Sequence, residues 1–342
     1  MNTERTIGVG IIGAGSRGVL NFGKQLPKIA LETGLRITAL CDRNPARLDE
    51  AHDAIQSHYK KQGLKVSPKL YGDFEELIQD PAVDIVVITS PTYIHREHAT
   101  AALASGKKVY CDKPLAHTVE DCIAILGESA RQASPILMGF TRRYENAWRR
   151  AYELLTDGAI GTLGMILVRD VLPFWSYFQK WHRLREWSGG AMNDKASHMF
   201  DVFNWCAGSR AVKVHAFGGV QVFKPDPAAP QRCAQCPRDC PYRQGAKPGG
   251  QEKLVSFGQS WREETEIEHR DDTCVYHPGA DIVDHASVHF TYDNGAAGIT
   301  IEPEMVGNEG AQPIQLSVDF GEVGGLNGLT QFEGSGNISS LA

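Results

Sequence analysis

One short segment, residues 190–201 (GAMNDKASHMFD), places four ionisable side chains among apolar ones. Read as a helix, it puts Asp194, His198 and Asp201 on one face, because residues three or four apart are neighbours there. A histidine can act as a general acid or base near neutral pH, and a carboxylate beside it would orient it or bind a substrate hydroxyl. The same pattern also fits a structural helix N-terminus, with Asp194 near the positive end of the helix dipole and His198 hydrogen-bonded in the core. The segment alone leaves both interpretations open.

A glycine-rich turn, GAGSRG, follows the strand-like run TIGVGII and precedes a helical segment. Its spacing is that of a dinucleotide fingerprint, in which the first glycine makes the tight turn, the second admits the pyrophosphate and the third packs the helix. Asp42 stands 24 positions after the last glycine, where it would accept hydrogen bonds from ribose hydroxyls. This favours NAD, although Arg43 could instead pair with the 2′-phosphate of NADP. The predicted nucleotide contacts are Gly13, Ala14, Gly15, Ser16, Arg17, Gly18, Asp42 and Arg43.

Two further strand-like runs end in polar residues. DIVVIT (84–89) leads into a turn that contains Pro91, and KKVYC (107–111) leads to Lys113 and Pro114. Ligands of open α/β sheets bind at the carboxyl ends of the strands, so a lysine held there by proline would lie over the cofactor cleft. The alternatives are a solvated surface lysine and, for His95, an exposed residue in the first turn of a helix. The residues expected to line the nicotinamide half of the cleft are Thr89, Ser90, Pro91, His95, Lys113 and Pro114.

The elements that must position these residues alternate between strand and helix through the first 140 residues. Each strand-like run is short and mostly apolar, as strands buried on both faces are, and helical segments separate them. This order predicts a parallel, doubly wound sheet with right-handed crossovers, so residues 1–140 are expected to form a dinucleotide-binding domain. The predicted strands are residues 6–12, 35–41, 84–89, 107–111 and 135–140, and YGDFEELI predicts a short helix between the second and third.

Length and composition restrict the class of protein. A chain of 342 residues favours two domains, and 42% hydrophobic with 22% charged residues is ordinary for a globular protein. The net charge is −6, from 35 basic and 41 acidic residues without long runs of either sign, which argues against nucleic-acid and anionic membrane surfaces. The first residues lack the apolar core of a secretory signal, and no stretch approaches the roughly 20 apolar residues of a membrane span. We therefore expect a cytoplasmic protein whose cysteines are thiols or metal ligands.

Taken together, four motifs resemble the Gfo/Idh/MocA oxidoreductase family in order and spacing, over roughly residues 5–300. They are GVGIIGAGSRG, CDRN, TSPTYIHREHATAALASGKKVYCDKPLAHTVED and GGAMNDKASHMFDVFNW. The resemblance implies an NAD(P)-dependent dehydrogenase of sugars, cyclitols or related polyols. It also implies an α/β fold in which the Rossmann domain is joined to a C-terminal α/β domain, residues 141–342, with an open, largely antiparallel sheet. That sheet commonly forms a subunit interface, so a homo-oligomer is expected.

The resemblance also assigns catalytic residues. The family's Glu-Lys-Pro motif corresponds to Asp112, Lys113 and Pro114, with aspartate where glutamate is usual, and its Asp-x-x-x-His motif corresponds to Asp194 and His198. His198 would then be the acid/base, Asp194 its partner or a substrate ligand, and Lys113 a hydrogen-bond donor to the reacting oxygen or a proton relay. The family includes NAD-dependent glycoside hydrolases that work by transient oxidation. A non-catalytic nucleotide-binding protein is the third alternative.

The second half has a different pattern. A helix is expected from about Tyr144 to Asp157, a strand near 163–171, another over AVKVHAFGGVQVF, and an antiparallel hairpin around Asp293-Asn294-Gly295. The segment LPFWSYFQKWHRLREWSGG (172–190) is rich in aromatic rings, which suit the C–H faces of a sugar but equally suit a core or an interface. The last 40 residues are glycine-rich and weakly patterned. The expected substrate contacts are Lys113, Arg143, Tyr144, Trp181, His182, Arg185, Lys195 and His198, of which Arg143 and Tyr144 follow from the resemblance.

A loop rich in proline, glycine and cysteine is predicted at residues 224–260. It contains a C-x2-C-x3-C pattern, Cys233, Cys236 and Cys240, and Cys274 is the next cysteine along the chain. Four thiolates would satisfy a tetrahedral zinc ion, which could hold together a loop without a hydrophobic core of its own. An iron–sulfur cluster on the same four ligands, free thiols and a disulfide are the alternatives.

Overall fold

The computed structural model describes residues 6–170, 172, 177–243, 270, 272–302, 314–319 and 330–334, with the backbone alone from residue 301 onward. The chain divides into two compact units between Gly139 and Phe140. We call the described residues up to Gly139 the N-terminal unit. Those from Phe140 to Arg243 and from Asp272 onward are the C-terminal unit.

The N-terminal unit is built on a six-stranded parallel sheet with the order β3-β2-β1-β4-β5-β6. From β1 the chain moves outward to β2 and β3, and it then returns to place β4 on the other side of β1. The predicted doubly wound parallel sheet is therefore confirmed, and its topological switch point lies between β1 and β4. The strands are β1 (Ile7–Ile12), β2 (Leu35–Cys41), β3 (Lys69–Tyr71), β4 (Ile85–Ile88), β5 (Lys108–Cys111) and β6 (Leu137–Met138).

Five α-helices accompany this sheet, and the first follows a π-helical turn at Arg17–Gly23. Three of them begin after a residue whose side chain accepts a backbone N–H of the first turn: Asn44, Asp73 and Thr118. The short helix predicted from YGDFEELI is confirmed as the third of the five. The helices are α1 (Lys24–Thr33), α2 (Pro45–Lys61), α3 (Phe74–Gln79), α4 (His95–Ala104) and α5 (Val119–Arg131).

Two apolar clusters in this unit explain the continuous apolar runs of its strands. Because successive strand residues point to opposite faces, Ile11 joins one cluster and Ile12 the other, and Val87 and Ile88 alternate in the same way. The Ile12 cluster contains residues of α4 and α5, and the Ile11 cluster contains residues of α1 and α2. Helices thus cover both faces of the sheet. The edge strand β3 was not predicted, because its three residues are not buried and show no apolar pattern.

The C-terminal unit contains a second six-stranded sheet, with the order β12-β11-β7-β10-β9-β8. Among the described strands, β7 and β10 pair in parallel and the other neighbours pair antiparallel, which confirms the expectation of a largely antiparallel sheet. Its elements are α6 (Asn146–Thr156), β7 (Met165–Arg169), α7 (Arg185–Ser188), α8 (Gly190–Asp194), α9 (Ala196–Ala207), β8 (Ala211–Gly219), β9 (His285–Tyr292), β10 (Ala297–Glu302), β11 (Ile314–Asp319) and β12 (Thr330–Gly334).

Helix α9 packs on this sheet through Met199, Val202 and Phe203, which share a cluster with Val168 of β7 and Trp148 of α6. The predicted hairpin is confirmed: β9 pairs with β10, and Gly295 in the turn has φ of +88°. Strands β11 and β12 lie in the weakly patterned last 40 residues, so the local sequence did not predict them. In the part of the chain that the structure describes, no helix is both long and apolar enough to cross a membrane.

The segment that carries Asp194, His198 and Asp201 is helical in two parts. Helix α8 ends at Asp194 and α9 begins at Ala196, with Lys195 between them. The chain continues in the right-handed region at Lys195 (φ −96°, ψ −49°), so no extended loop separates the two helices.

Candidate functional site

The glycine-rich turn packs its backbone directly against the end of β4. Gly13 has φ of +98°, and a Cβ there would lie 2.6 Å from the backbone nitrogen of Ser90. A Cβ at Gly18 would meet the carbonyl oxygen of Gly13. Thr89 Oγ1 donates a hydrogen bond to that same carbonyl at 2.8 Å. The turn therefore has room only for glycine at its first and last positions.

Asp42 follows β2 and lies beside this turn. Its Oδ2 accepts the backbone N–H of Ala14 at 3.0 Å, and its Oδ1 accepts Arg47 Nη1 at 3.0 Å and the N–H of Asn44 at 3.0 Å. Arg47 is buried, whereas Arg43, the predicted phosphate contact, is exposed. The sequence reasoning did not single out Arg47. The only available signal was its place in the first turn of the helix that follows Asp42.

His95 is buried and links two strand ends. Only 1% of the residue is exposed, so the alternative of an exposed first-turn residue is wrong. Its Nδ1 lies 3.0 Å from the carbonyl oxygen of Pro114, and its Nε2 lies 2.9 Å from that of Ser90. Burial lowers the pKa of His95, although hydrogen bonds to these carbonyls act in the opposite direction. His95 therefore holds the segments after β4 and β5 together.

Lys113 follows β5 in a half-buried position, between two residues whose backbone is held. Its N–H donates to Asp112 Oδ1 at 2.9 Å, and the Lys113–Pro114 peptide bond is cis. The carboxylate of Asp112 also binds Arg17, which belongs to the glycine-rich turn. The N-terminal unit thus brings together several predicted residues at the carboxyl ends of β1, β4 and β5: Gly13, Arg17, Thr89, Ser90, His95, Lys113 and Pro114.

In the C-terminal unit, the junction of α8 and α9 carries the predicted catalytic pair. Asp194 is buried at the end of α8, and His198 lies half-buried in the first turn of α9. Between them, Lys195 Nζ lies 3.3 Å from Asp170 Oδ2, and Arg142 Nη2 lies 3.8 Å from the same oxygen. Asp170 is 2% exposed and directly follows β7. Asp170 was not among the predicted site residues, although a carboxylate at a strand end was a usable signal.

Arg143 is attached to α9 by a bidentate ion pair. Its Nε and Nη2 donate to the two carboxylate oxygens of Asp201 at 2.8 Å each, and its guanidinium lies 5.4 Å from the centre of the Trp205 ring. The hydrogen bond to Asp201 raises the pKa of Arg143, against a smaller effect of burial. The neighbouring Tyr144 is 69% exposed. The segment 141–144 therefore contains one cation held in an ion pair, Arg143, and one exposed aromatic ring, Tyr144.

The aromatic segment forms a compact pair of rings. Trp181 stacks on His182 with ring centres 3.8 Å apart, and Tyr177 meets His182 edge-on. Arg185 is exposed, and its backbone N–H donates to Asp281 Oδ1 at 2.6 Å. Residues 173–176 of this segment lie outside the described residues. Trp181 and His182, two of the predicted substrate contacts, thus form one stacked pair.

The cysteines do not support the zinc prediction. Cys233 and Cys274 are buried in one small cluster, while Cys236 and Cys240 are half-buried. A hydrogen bond from Cys233 lowers the pKa of Cys274. Across the described residues, which include all four cysteines, no group of three or more histidine, cysteine, aspartate or glutamate side chains is arranged to hold a metal ion. Residues 244–260 of the predicted loop lie outside the described part.

Protein contacts hold the described part of this loop instead. Arg243 Nη1 donates to the carbonyl oxygen of Cys233 at 2.9 Å, and Arg238 Nη1 pairs with Asp226 at 2.7 Å. Arg232 forms an antiparallel bridge with Thr273, which attaches the loop to the segment before β9. Arginine side chains and a backbone bridge therefore contribute to holding residues 224–243.

Comparison with known proteins places both units in one family. Residues 7–140 match the family model described as "Oxidoreductase family, NAD-binding Rossmann fold", and residues 148–301 match the "GFO/IDH/MocA C-terminal domain". The two matches adjoin without overlap and account for most of the chain.

Individual relatives agree with these matches. The YteT protein of Bacillus subtilis, named as an oxidoreductase, is 27% identical over 83% of this chain and 68% of its own length. Inositol 2-dehydrogenase 3 of Saccharopolyspora erythraea is 33% identical over 58% of this chain and 53% of its own length. The WlbA dehydrogenase of Chromobacterium violaceum, whose crystal structure contains NADH and UDP-GlcNAcA, has a similar fold. Its TM-score is 0.63 at 18% identity, over 92% of this chain and 72% of that one. The chain thus spans about half to three quarters of these relatives.

Proposed function

Because the chain belongs to the Gfo/Idh/MocA oxidoreductase family, we propose that it transfers a hydride between NAD(H) and a hydroxyl-bearing carbon of a sugar, cyclitol or related polyol. The observation that carries this proposal is the joining of the glycine-rich turn, after β1, to the Lys113 segment, after β5, at one edge of the same sheet. Two relatives named inositol 2-dehydrogenase support the substrate class. The division of labour follows: residues 1–140 would bind the nucleotide, and residues 141–342 the substrate and further copies of the chain.

The residues of the N-terminal unit fit a dinucleotide. A Cβ at Gly13 would lie 2.6 Å from the backbone nitrogen of Ser90, so the tight turn needs glycine there, and Gly15 would let a pyrophosphate approach the backbone. Asp42 stands at the end of β2, where the adenosine ribose is expected, and its carboxylate would favour NAD over NADP. When bound, NAD⁺ would accept the hydride in oxidation and NADH would donate it in reduction.

The chain's own residues would handle the proton and the developing charge. His198 would take the proton from the substrate hydroxyl in oxidation and return it in reduction, because an imidazole titrates near neutral pH. Asp194 would orient His198 or bind a neighbouring hydroxyl. Lys113 would donate a hydrogen bond to the reacting oxygen and stabilise its alkoxide character.

The remaining predicted substrate contacts fall into two groups. Trp181 and His182 offer a stacked aromatic face of the kind that packs against the C–H surface of a sugar ring, and Tyr144 and Arg185 are exposed. Arg143 and Lys195 are already engaged with carboxylates, so we propose that they shape the pocket through Asp201 and Asp170.

The test is a panel of sugars and cyclitols offered with NAD and with NADP, followed by the absorbance of the reduced cofactor. Stoichiometric accumulation of NADH with at least one polyol is the expected result. Release of a sugar from a glycoside without net NADH would instead identify the redox-assisted hydrolase. Tight NADH binding with no turnover of any compound would identify a nucleotide-binding protein without catalytic activity.

A further inference from the structure

We propose that Arg17 and Asp112 form a positioning pair that holds Lys113 in place, so that the glycine-rich turn and the lysine-bearing strand end move as one body. The proposal rests on the proposed function, because the pair affects catalysis only if Lys113 acts on the substrate. Neither Arg17 nor Asp112 is assigned to the chemistry itself. Both are positioning residues.

The pair joins two parts of the fold that the sheet does not connect directly. Arg17 follows β1 and Asp112 follows β5, and β4 lies between these two strands. Arg17 Nε lies 2.5 Å from Asp112 Oδ2, and Nη2 lies 3.1 Å from Oδ1. A bidentate guanidinium–carboxylate pair fixes the orientation of both groups as well as their distance. The ion pair therefore crosses the end of β4 at the switch point of the sheet.

Asp112 passes this constraint on to Lys113. The oxygen that accepts Arg17 Nη2 also accepts the backbone N–H of Lys113 at 2.9 Å. On the other side of the lysine, His95 holds the carbonyl oxygen of Pro114 at 3.0 Å. The backbone is thus held immediately before and after the residue whose side chain must reach the substrate. Holding the Cα fixes the point from which the side chain starts and so restricts the positions that Nζ can reach.

The surroundings keep the carboxylate from swinging away. A Cβ at Gly139 would lie 2.5 Å from Asp112 Oδ1 and 2.6 Å from the Tyr110 hydroxyl, so the backbone at Gly139 closes the space behind both groups. Tyr110 is itself packed edge-on against Phe22, with ring centres 4.9 Å apart. Only 10% of the Asp112 side chain is exposed, against 32% for Arg17. Removing either partner leaves the other partly buried and without its opposite charge.

The charge state of Arg17 agrees with this geometry. Burial alone would lower the pKa of Arg17, but the hydrogen bond and charge of Asp112, together with Tyr110, raise it. The guanidinium therefore stays charged, and Asp112 neutralises it. A cation in a glycine-rich turn would otherwise add to the attraction for a pyrophosphate. In this chain the charge of Arg17 is instead paired with Asp112, next to Lys113.

This pairing predicts an unusual signature for Asp112→Asn. The amide leaves Arg17 without its counter-charge beside the phosphate-binding turn, so NADH binding should stay as tight as in the wild type or become tighter. The same variant loosens the Lys113 backbone, so kcat should fall by about ten- to a hundredfold. A merely structural aspartate would give the opposite result for the nucleotide, because a damaged turn binds it less well.

The experiment measures kcat, KM and the NADH dissociation constant for Asp112→Asn, Arg17→Met, Lys113→Ala and the double variant Asp112→Asn/Lys113→Ala. If Asp112 acts through Lys113, it has little further effect on kcat once the lysine is gone, so the two losses are not additive. Asp112→Glu keeps the charge and should retain more of kcat than Asp112→Asn. Asp121→Asn is the matched control, because it breaks the Arg96–Asp121 pair of the same unit, with Nη1 2.9 Å from Oδ1, and should leave kcat unchanged.

Several outcomes would overturn the proposal. Additive losses in kcat, or equal losses in Asp112→Asn and Asp121→Asn, would remove the link to Lys113. Weaker NADH binding in Asp112→Asn would also contradict the proposal. NADH binding can be measured in a variant that has no catalytic activity. The proposed function fails separately: full activity in Lys113→Ala would remove the lysine from catalysis, whereas a large loss there with normal Asp112→Asn turnover would refute only the pair.

Discussion

The two units position their polar groups by different means. In the N-terminal unit, His95 binds the carbonyls of Ser90 and Pro114, and Asp42 binds the N–H of Ala14. In the C-terminal unit, Arg143 binds the side chain of Asp201, and Lys195 binds that of Asp170. Backbone partners are set by the sheet and are present whatever the residue type, but side-chain partners disappear with one substitution. At His95 and Asp42 the nucleotide region is therefore held by backbone groups, with the Arg17–Asp112 side-chain pair in addition, whereas Arg143 and Lys195 of the proposed substrate region are held by side-chain pairs.

The units also differ in which buried groups respond to acid. In the N-terminal unit, burial lowers the pKa of His98 to about 4. In the C-terminal unit, Asp284 is buried and accepts the backbone N–H groups of Val222 and Phe223 at 2.7 and 2.9 Å. Burial alone would raise the pKa of Asp284, but these bonds and its bond with His285 lower it. The two units should therefore begin to lose stability at different pH values as the pH falls.

The largest expected effect is the loss of stability of the N-terminal unit as the pH falls. His98 is a base with a lowered folded pKa, so between about pH 6.5 and pH 4 the unfolded chain binds more protons and stability falls as the pH falls. Its contribution is complete above pH 6.5, and about 3 kcal/mol is lost by pH 4. The lowered pKa of Asp284 contributes stability that is lost only below the ordinary pKa of the carboxyl, near 4. Hydrogen exchange at pH 7.5 and pH 5 should show that the backbone amides of β1 and β4 lose more protection at pH 5 than those of β9.

His98→Gln sharpens that comparison. A glutamine can keep a hydrogen bond to Ser90 Oγ, which lies 2.9 Å from His98 Nδ1, without the titration. The pH dependence of the N-terminal unit should therefore flatten between pH 6.5 and pH 4. An equal loss of amide protection in both units, or an unchanged pH dependence of protection in His98→Gln, would contradict this explanation.

The next largest effect takes one residue from each unit. Lys113→Ala and His198→Ala should each lower kcat by about a hundredfold or more, equivalent to about 2.7 kcal/mol, because each removes a group that acts on the reacting hydroxyl. NADH binding should survive in both. Lys28→Ala, at an exposed position of α1, is the control. Wild-type turnover in either variant would return that residue to a structural role.

A smaller effect tests the backbone character of the nucleotide region. Gly13→Ala forces a side chain into a positive φ and against Ser90, at a strain of about 1–3 kcal/mol, so NADH affinity should fall by roughly ten- to a hundredfold. Gly72→Ala is the matched control, because a Cβ at Gly72 would meet nothing within 4 Å. Similar affinities in the two variants would show that close backbone approach at Gly13 is not needed.

The smallest effect separates the two cofactors. Asp42→Ala should weaken NAD binding by about tenfold, through loss of hydrogen bonds to ribose hydroxyls. NADP should lose less, because the change also removes a negative charge that would repel its 2′-phosphate. Some loss is expected for both, since Asp42 also holds the N–H of Ala14. Titration of each cofactor by fluorescence gives the two constants, and equal losses would remove Asp42 from cofactor selection.

The sequence by itself determined the features that depend on local pattern. Apolar runs of four to seven residues between helical segments predicted the parallel sheet, because strands buried on both faces need such runs. Gly13 and Gly18 predicted the turn, since a positive φ and a close contact exclude other residues there. Asp293-Asn294-Gly295 predicted the hairpin. In each case the physical requirement lies within a few consecutive residues.

Only the tertiary structure decided which distant residues meet. Arg17 and Asp112 are 95 positions apart, and they pair because β1 and β5 end on the same edge of one sheet. Neither the burial of His95 nor the pairing of Lys195 with Asp170 could be predicted from residue type. Strands β11 and β12 form in a weakly patterned segment because neighbouring strands supply their hydrogen-bond partners. Similarly, the cysteine spacing suggested zinc, but in the described residues the four cysteines form no group arranged to hold a metal ion.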